Sequence, residues 1–331
     1  MGILEDEPPR LEHPALLDGE IEAFLDAVVP FVTEGLEVGE PVVVAVGSDE
    51  LAALRERVGA ASGVRWLDTR EWIPHPASRL RAFHELVTSE LARGAARLRL
   101  VGEPVWPDGP PEHVLEWERY ESVLNELLAP YPVTLICTYD TSRLDPAIAG
   151  SAAERTPVVW NGRDTVSDAF VPPAELLLRR NAEVPSPPRG AAVMASPDDD
   201  LAAARGFVES EADRAGVPRE AAMDLLIAAN EVLTNAAAHA GGAAGVWVWV
   251  EDGRFMCQVE DWGPGIYDPL AGYLPPEDAA SGGRGLWIAR QLVDLLQIPR
   301  PSRERGSAST PDLRSVSRTG LEPGSAKDQH P

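Results

Sequence analysis

The stretch DLLIAANEVLTNAAAHAGG, from Asp224 to Gly242, decides the fold of the second half of the chain. Its apolar residues recur at helical spacing, and together with the residues before it the stretch predicts a long helix from Arg219 to about His239. Glu231 and Asn235 are four residues apart in this helix, so they lie on one face, one turn from each other. A carboxylate that can accept a proton and an amide oxygen that can ligate Mg²⁺ then face the same cleft.

A glycine-containing segment, VEDWGPGI (259–266), follows further along the chain at the end of an apolar run. Asp261 supplies an acidic hydrogen-bond acceptor at the end of a predicted strand. Gly263 and Gly265 allow the backbone beside it to approach a ligand closely.

A second glycine-containing segment, SGGRGLWIARQLVD (281–294), opens a helix predicted from Arg284 to Gln297. It places Gly282, Gly283 and Gly285 at the helix start, where free backbone amides and the helix dipole favour a phosphate group. Arg284 can add a charge-assisted contact at the same position.

The segments occur in the order helix, strand hairpin, glycine loop, helix. The hairpin consists of the alternating runs 245–252 and 254–261, joined through Asp252-Gly253, a strong signal for a two-residue turn. Taken singly, an acidic helix face, an Asp-Gly turn and glycines before a helix all have ordinary structural explanations. Their combination in this order favours a functional site.

The three segments resemble the N, G1 and G2 boxes of the Bergerat-fold, or GHKL, ATPases (HATPase_c). Within that superfamily, LLIAANEVLTNAAAHA and GGRGLWIARQLVD are most similar to the anti-sigma-factor serine kinases of bacterial partner-switching systems. The resemblance covers about residues 199–298 and implies an α/β sandwich that binds ATP and Mg²⁺. It implies that Glu231 is the general base and that Asn235 ligates Mg²⁺. Asp261 would bind the adenine amino group, and Gly263 and Gly265 would shape the adenine pocket. Gly283, Arg284 and Gly285 would surround the phosphates.

The first half of the chain alternates short apolar runs with segments of helical period, which predicts an α/β domain with a mainly parallel βαβ sheet. Its candidate strands are 41–46, 64–68, 97–102 and 133–140. The segments LEHPALL, FVTEGLEVGEPVVV, EWERYESVLNELL and CTYDTSRL resemble the MEDS sensory domain, a family thought to be related to RecA-like nucleotide-binding sheets. The loop after the first strand, residues 47–50, reads GSDE and lacks Gly-Lys-Ser/Thr, so a working P-loop is not expected.

Composition divides the chain into four parts. They are residues 10–182, a proline-rich linker at 183–199, residues 200–298 and a tail at 299–331. The resemblances imply that the first part is a MEDS-like sensory domain and the third a Bergerat-fold serine kinase domain.

The tail departs from the pattern of the kinases that the second domain resembles. It has five Pro, six Ser and only five apolar residues, so it is expected to be disordered. Such kinases close their sheet with a strand after the last helix. Here either that strand is absent and a strand edge lies open, or the reading frame is altered near codon 299. Both interpretations predict a loss of stability or of ATP affinity.

Charge and hydropathy exclude several classes of protein. The chain has 29 basic and 53 acidic side chains and a formal net charge of -24. Nucleic acid and anionic lipid repel such a chain, so neither is an expected direct ligand. No apolar run approaches the roughly 20 residues that cross a bilayer, and the first nine residues are unlike a signal peptide. We therefore expect a cytoplasmic protein without a membrane contact.

Several titratable residues have more than one interpretation. His239 precedes Ala-Gly-Gly and is interpreted as a helix C-terminal residue rather than a catalytic one. His84, in RAFHELVTSEL, is the candidate phosphoacceptor of an atypical sensor histidine kinase, but a surface position beside Phe83 explains it better. Asp140 can ligate a cation or cap its own loop, and capping is preferred. Both cysteines, Cys137 and Cys257, are interpreted as buried free thiols without a His or Cys neighbour at metal spacing.

Aromatic residues of the first domain offer a candidate sensory pocket for a small-molecule ligand. They are Trp106, Trp117, Tyr120, Tyr139 and Trp160. Packing in the core explains aromatic residues equally well.

The resemblance implies an anti-sigma factor that is also an ATP-dependent serine/threonine kinase. It would sequester a sigma factor and phosphorylate a STAS-type anti-anti-sigma protein under control of the sensory domain. A homodimer is also expected, because relatives commonly dimerise through this domain. Two alternatives stay open: a non-catalytic anti-sigma binding module, and an atypical sensor histidine kinase phosphorylated on His84.

Overall fold

The computed structural model describes residues 11–59, 63–72, 76–104, 111–160, 164–180, 184, 186–195, 200–240, 243–276, 283–299 and 312–319. The chain divides into two compact units, with the boundary between Leu177 and Leu178. Among the described residues, none of the helices combines the length and the apolar composition needed to cross a membrane.

The first unit alternates strands and helices along most of its length. Its strands are β1 (Leu11–Glu12), β2 (Pro14–Asp18), β3 (Val42–Val46), β4 (Val64–Asp68), β5 (Leu98–Gly102), β6 (Val133–Asp140), β7 (Val158–Trp160) and β8 (Asp164–Val166). Its helices are α1 (Ile21–Val38), α2 (Ser48–Val58), α3 (Thr69–Trp72), α4 (Pro76–Ala92), α5 (Pro111–Leu128), α6 (Pro146–Gly150), α7 (Ala152–Arg155) and α8 (Pro173–Arg179), the last of which spans the boundary.

The strands of the first unit form one sheet in the order β4-β3-β5-β6-β2-β7-β8, and β1 pairs with β6. Every pair is parallel except β7 with β8, which is antiparallel. All five residues of β3 are buried, as expected for a parallel strand covered on both faces. The predicted α/β architecture with a mainly parallel sheet is confirmed, and all four predicted strands form. The placement of β2 between β6 and β7 is not predicted by the sequence pattern.

The second unit packs helices on one antiparallel sheet. Its elements are β9 (Ala192–Ala195), α9 (Leu201–Arg214), α10 (Arg219–Ala240), β10 (Ala243–Glu251), β11 (Arg254–Asp261), α11 (Arg284–Leu292), β12 (Leu295–Gln297) and β13 (Asp312–Thr319). The sheet order is β12-β13-β11-β10-β9. The core between the layers includes Val208 of α9, Val232 of α10, Phe255 of β11 and Ala289 of α11. The predicted α/β sandwich is confirmed.

The predicted hairpin forms at its predicted turn. Glu251 pairs with Arg254, which leaves Asp252 and Gly253 as the two turn residues. Both have positive φ, 49° and 72°, as a type I′ turn requires. The turn fixes the register that carries β11 to Asp261, the residue at its end.

The last helix is shorter than the sequence predicts. The predicted helix from Arg284 to Gln297 ends at Leu292, and Leu295–Gln297 forms strand β12 instead. Val293 is already extended, with φ -123° and ψ 156°. The guanidinium of Arg290 donates to the carbonyl oxygen of Leu296 at 2.9 Å and holds the returning chain against the helix. The apolar residues after Leu292 therefore form a strand of the sheet and do not extend the helix by another turn.

The prediction of a wholly disordered tail at 299–331 is wrong for residues 312–319. These residues form β13, which pairs with β11 from Asp261↔Asp312 to Arg254↔Thr319 and with β12 on its other side. Composition misleads here because a strand between two others is held by backbone hydrogen bonds, which do not require apolar side chains. The edge of β11 that the sequence leaves open is covered. The rest of the tail lies outside the described residues, apart from residue 299.

The predicted linker at 183–199 contains a strand of the second sheet. β9 pairs antiparallel with β10 from Ala192↔Val248 to Ala195↔Gly245. The second unit therefore begins before residue 200. The prolines that indicate a linker all fall outside these four residues, and the short apolar run AAVMA between them is the signal for the strand.

Candidate functional site

Helix α10 supplies the first two residues of the candidate site. Its stripe of fully buried residues faces the core: Leu225, Ala228, Ala229, Val232, Leu233 and Ala236. Glu231 and Asn235 are half-buried and lie beside this stripe, one turn apart. Burial of the stripe fixes the rotation of the helix, so the two polar side chains are held at the margin of the core.

The first turn of α11 lies directly against Glu231. A Cβ atom on Gly285 would stand only 2.6 Å from Oε2 of Glu231, so a side chain at this position would collide with the carboxylate. Gly283, the N-cap residue of α11, has φ 80°, a left-handed conformation that glycine adopts without strain. Glu231 and Gly285, predicted in two separate segments, are thus brought together at a helix N-terminus.

Asp261 forms the second part of the candidate site. It ends β11, is fully buried, and its Oδ1 accepts a hydrogen bond from the backbone N–H of Gly263 at 2.8 Å. Gly265 has φ 81°. The carboxylate therefore organises the glycine turn that follows the strand, as an Asx turn does.

The remaining predicted site residues occupy the margin of the site. Arg284 is exposed at the first position of α11, and Asn235 is half-buried on α10. The structure therefore shows two groups: Glu231 with Gly285 at the start of α11, and Asp261 with Gly263 at the end of β11. Residues 277–282, between the second group and α11, lie outside the described part of the chain.

Two neighbours of Glu231 are not predicted from sequence. Nδ2 of Asn230 lies 3.5 Å from Oε1 of Glu231, and Nη1 of Arg205 donates to Oδ1 of Asn230 at 2.9 Å. This chain of contacts connects α9 to the carboxylate. Adjacent Asn and Glu in the sequence give a signal for the first contact, whereas nothing in the pattern points to Arg205.

A buried arginine anchors the loop between the two parts of the site. The guanidinium carbon of Arg290 lies 3.7 Å from the ring centroid of Tyr273, a cation–π contact between two buried side chains. Gly272, with φ 75°, is so close to α11 that a Cβ atom there would lie 3.0 Å from the carbonyl oxygen of Leu286. The sequence signal for this anchor is an arginine on the apolar face of α11.

In the first unit, carboxylates occupy the position at which a P-loop would bind phosphate. The backbone N–H of Gly47, before α2, donates to Oε2 of Glu103 at 2.6 Å. Burial and the nearby carboxylates of Asp140, Glu103 and Glu50 raise the pKa of Asp18 to about 7. This concentration of negative charge disfavours a phosphate ligand, in agreement with the absence of a P-loop motif.

Other residues singled out in the sequence have structural roles. Oδ1 of Asp140 accepts hydrogen bonds from the backbone N–H and the hydroxyl of Ser142 at 2.9 and 2.6 Å, so it caps its own loop. His84 is half-buried rather than on the surface, with Nε2 3.0 Å from the hydroxyl oxygen of Tyr131. His239 is exposed in the last turn of α10.

The candidate aromatic residues do not form one pocket. Trp117 and Tyr120 are buried and pack edge to face with ring centroids 5.3 Å apart, and Tyr139 is fully buried in β6. Trp160 instead lines a groove of about 720 Å³ with Leu16, Phe31 and Ile136. Trp106 lies outside the described residues.

Comparison with known proteins assigns both halves of the chain. Residues 12–154 match MEDS, the methanogen/methylotroph DcmR sensory domain. Residues 193–308 match the histidine kinase-like ATPase domain. No curated protein matches the chain. Among solved structures, "The cytoplasmic domain of EssC" has 13% sequence identity and a TM-score of 0.26, over 44% of this chain and 29% of that chain. The chain thus spans less than a third of that structure, and a TM-score this low supports no conclusion.

The two matched segments agree with the two folds. The parallel sheet lies within the MEDS match except for its last strands, and Glu231, Asp261 and Gly285 all lie within the ATPase match. The ATPase match implies that the second unit binds ATP. The chain therefore joins an N-terminal MEDS domain to a C-terminal histidine kinase-like ATPase domain.

Proposed function

We propose that this chain is an anti-sigma factor and an ATP-dependent protein serine/threonine kinase, with the MEDS domain as its sensory input. The observation that carries the proposal is the close approach of Gly285 to the Glu231 carboxylate. A base held at a glycine-lined helix N-terminus is suited to remove a proton from a hydroxyl while the helix amides bind phosphate.

The chain's own residues divide the work of phosphoryl transfer. Glu231 accepts the proton of the substrate hydroxyl, and the amides at the start of α11, with Arg284, hold the phosphates. Asp261, positioned by Gly263, accepts a hydrogen bond from the adenine amino group. Asn235 offers an amide oxygen, a ligand type that suits Mg²⁺, one turn from the base. The bound Mg²⁺ would offset the charge of the phosphates.

We propose a small STAS-type anti-anti-sigma protein as the phosphate acceptor and a sigma factor as the second partner. The acceptor class follows from the resemblance of the helix and glycine segments to anti-sigma-factor serine kinases. A small ligand in the 720 Å³ groove of the first unit is a suitable input, because pockets for small molecules have roughly this size. A homodimer of the full chain belongs to the same proposal and is tested by its mass in solution.

The test is transfer of labelled phosphate from ATP to a panel of STAS-type proteins, with the full chain as enzyme. We expect an acid-stable phosphoserine or phosphothreonine on the acceptor. Replacement Glu231→Gln keeps the size of the side chain but removes the base, and it should slow transfer by about 10²–10⁴-fold while ATP still binds. Glu220→Gln, an exposed position on the same helix, is the matched control.

Each alternative has its own result in this assay. Acid-labile phosphate that disappears in His84→Gln would identify a histidine kinase. ATP binding with no transfer to any acceptor, combined with retention of a sigma factor, would favour the non-catalytic binding module. Unchanged transfer in Glu231→Gln would remove the general-base assignment.

A further inference from the structure

Three buried side chains of the first unit bring metal-binding atoms together. His13, between β1 and β2, Glu121 of α5 and Cys137 of β6 each offer one ligand atom, and these atoms all lie within 4.8 Å of one another. Each residue is at most 2% exposed. The spacing of these residues along the chain does not predict this cluster, because its members are up to 124 residues apart. The proposed phosphoryl transfer uses none of them.

Neighbouring hydrogen bonds fix which nitrogen of His13 is free. Both N–H groups of the Asn125 amide are used, because Nδ2 donates to the carbonyl oxygens of Ser122 and Arg155 at 2.9 and 2.7 Å. Oδ1 of Asn125 therefore accepts a hydrogen bond, and it lies 2.9 Å from Nδ1 of His13. Nδ1 must carry the proton, so Nε2 presents its lone pair. Metal-ligating histidines are oriented by the same kind of contact.

The lone pair of Nε2 points at the cysteine. Nε2 of His13 lies 3.1 Å from Sγ of Cys137, and burial lowers the pKa of His13 to about 4, so the imidazole is neutral at ordinary pH. Burial raises the pKa of both Cys137 and Glu121. Without a cation, the Cys137 thiol therefore keeps its proton at ordinary pH. A divalent cation can displace this proton, and its charge then equals that of the thiolate and carboxylate together.

The surroundings leave room and unused hydrogen-bonding capacity. A cavity of about 10 Å³ borders Glu121 and Cys137, roughly the space that one water molecule needs. The buried hydroxyl of Tyr120 has no hydrogen-bond partner within the described part of the chain. It lies close enough to Glu121 and Cys137 that their charges act on it. The charges of Arg155 and Arg79 favour the deprotonated forms of both ligands.

From this geometry we propose that His13, Glu121 and Cys137 form a binding site for a divalent transition metal of the zinc class, with a fourth position left for water. One nitrogen, one sulfur and one oxygen ligand make a set that zinc accepts, and three protein ligands with a water in the fourth position occur in zinc sites that keep one position open. The thiolate and imidazole disfavour Mg²⁺ and Ca²⁺, which prefer oxygen ligands alone. The MEDS domain then responds to metal supply.

Cobalt(II) tests the site directly, because a cobalt–thiolate bond gives a charge-transfer absorption that an oxygen-only site lacks. The full chain, freed of metal with a chelator and kept reduced, is titrated with Co²⁺ and then with Zn²⁺ as competitor. We expect a thiolate band that saturates at one cobalt per chain and is removed by zinc. Cys137→Ser should abolish the band.

The second cysteine provides the matched control. Cys257 is also fully buried in a strand, but burial alone raises its pKa, to about 12, and it packs in the apolar core of the second unit. Cys257→Ser should leave the band unchanged. If Cys137→Ser fails to fold, Glu121→Gln and His13→Gln take its place, and each should weaken cobalt binding by more than the roughly 10–100-fold that loss of an outer-shell partner costs, because each removes a direct ligand.

Two results would overturn the proposal. The first is the absence of a thiolate band in the wild-type chain, which would identify the cluster as a hydrogen-bonded core network. The second is a band that survives in Cys137→Ser or disappears in Cys257→Ser. Neither result bears on ATP binding, so failure here is distinguishable from failure of the proposed kinase.

Discussion

At the scale of single residues, Gly285 sets how closely the first turn of α11 approaches Glu231. Its missing side chain leaves space that the carboxylate uses, since a Cβ atom there would lie 2.6 Å from Oε2. Sequence analysis predicts that this glycine frees the backbone for a phosphate. It does not predict that the glycine also admits a carboxylate from another helix, because that contact depends on how α10 and α11 pack.

Replacement Gly285→Ala should displace the Glu231 carboxylate. Because the close contact is only with the far end of a flexible side chain, we expect little change in the stability of the second unit, and at least a tenfold loss of phosphotransfer if Glu231 is the base. Gly206→Ala in α9 is the control, because a Cβ atom there meets nothing within 4 Å and alanine favours a helix by about 0.5–1 kcal/mol. Urea unfolding and the transfer assay measure the two effects. Wild-type activity in Gly285→Ala would show that phosphotransfer does not require the Glu231 carboxylate to lie at its present position beside α11.

The raised pKa of Asp18 predicts how the stability of the first unit depends on pH. Its pKa is raised to about 7, so between about pH 4 and 7 the folded protein holds a proton that the unfolded chain has released. Stability from this group is therefore present at low pH and is lost as the pH rises towards 7. Asp18→Asn should have little effect near pH 5 and should stabilise the first unit near pH 8.

His13 also makes the stability of the first unit depend on pH, but in the opposite direction. Because wild type and Asp18→Asn share this contribution, it cancels when the two are compared. The pKa of His13 is lowered from 6.5 to about 4, so its contribution to stability is lost as the pH falls from about 6.5 to about 4. Urea unfolding at the two pH values measures the difference. A stabilisation by Asp18→Asn that is the same at both values would contradict the raised pKa.

At the scale of elements, β13 completes the second sheet. The strand lies between β11 and β12 and pairs with both. Its backbone N–H and C=O groups can form hydrogen bonds with β11 on one side and β12 on the other. This explains why a segment rich in Ser and Arg is held in a sheet. Composition predicts how much apolar surface a segment can bury, but it does not reveal an open strand edge elsewhere in the fold.

Val316→Pro tests the pairing of β13. Proline has no backbone N–H and disrupts a strand that is paired on both sides. We expect faster hydrogen exchange at the amides of β11 and β12 and a lower melting temperature. Val316→Thr, which keeps the N–H and the β-branched shape, should change both much less. Equal exchange rates in wild type and Val316→Pro would mean that β13 does not pair as described.

Periodicity and turn chemistry predict most of the remaining elements. The runs that become β3 to β6 are apolar and bounded by helical segments, and Asp252-Gly253 gives the hairpin its register. The helix end at Leu292 is missed because Leu295–Gln297 pairs with β13, and periodicity does not reveal pairing with a strand further along the chain. The His13, Glu121 and Cys137 cluster is missed because spacing along the chain carries no information about three elements that meet in space.

At the scale of the whole molecule, the chain separates two kinds of chemistry. The first unit gathers carboxylates, of which Asp18 is buried, near the ends of its parallel strands, and a nitrogen, sulfur and oxygen cluster in its core. The second unit gathers glycines, a carboxylate and a helix N-terminus. With a net charge of -24, the molecule repels polyanions in general, so ATP must be bound by local donors rather than by long-range attraction.

The central claim is that α10, β11 and α11 form a working Mg²⁺-dependent ATP site. Calorimetric titration of the full chain with ATP, with and without Mg²⁺, tests it most directly. The account predicts saturable binding with a dissociation constant of roughly micromolar order that weakens when Mg²⁺ is removed and when Asn235 is replaced by alanine. No heat of binding with a folded chain at millimolar ATP would contradict the account.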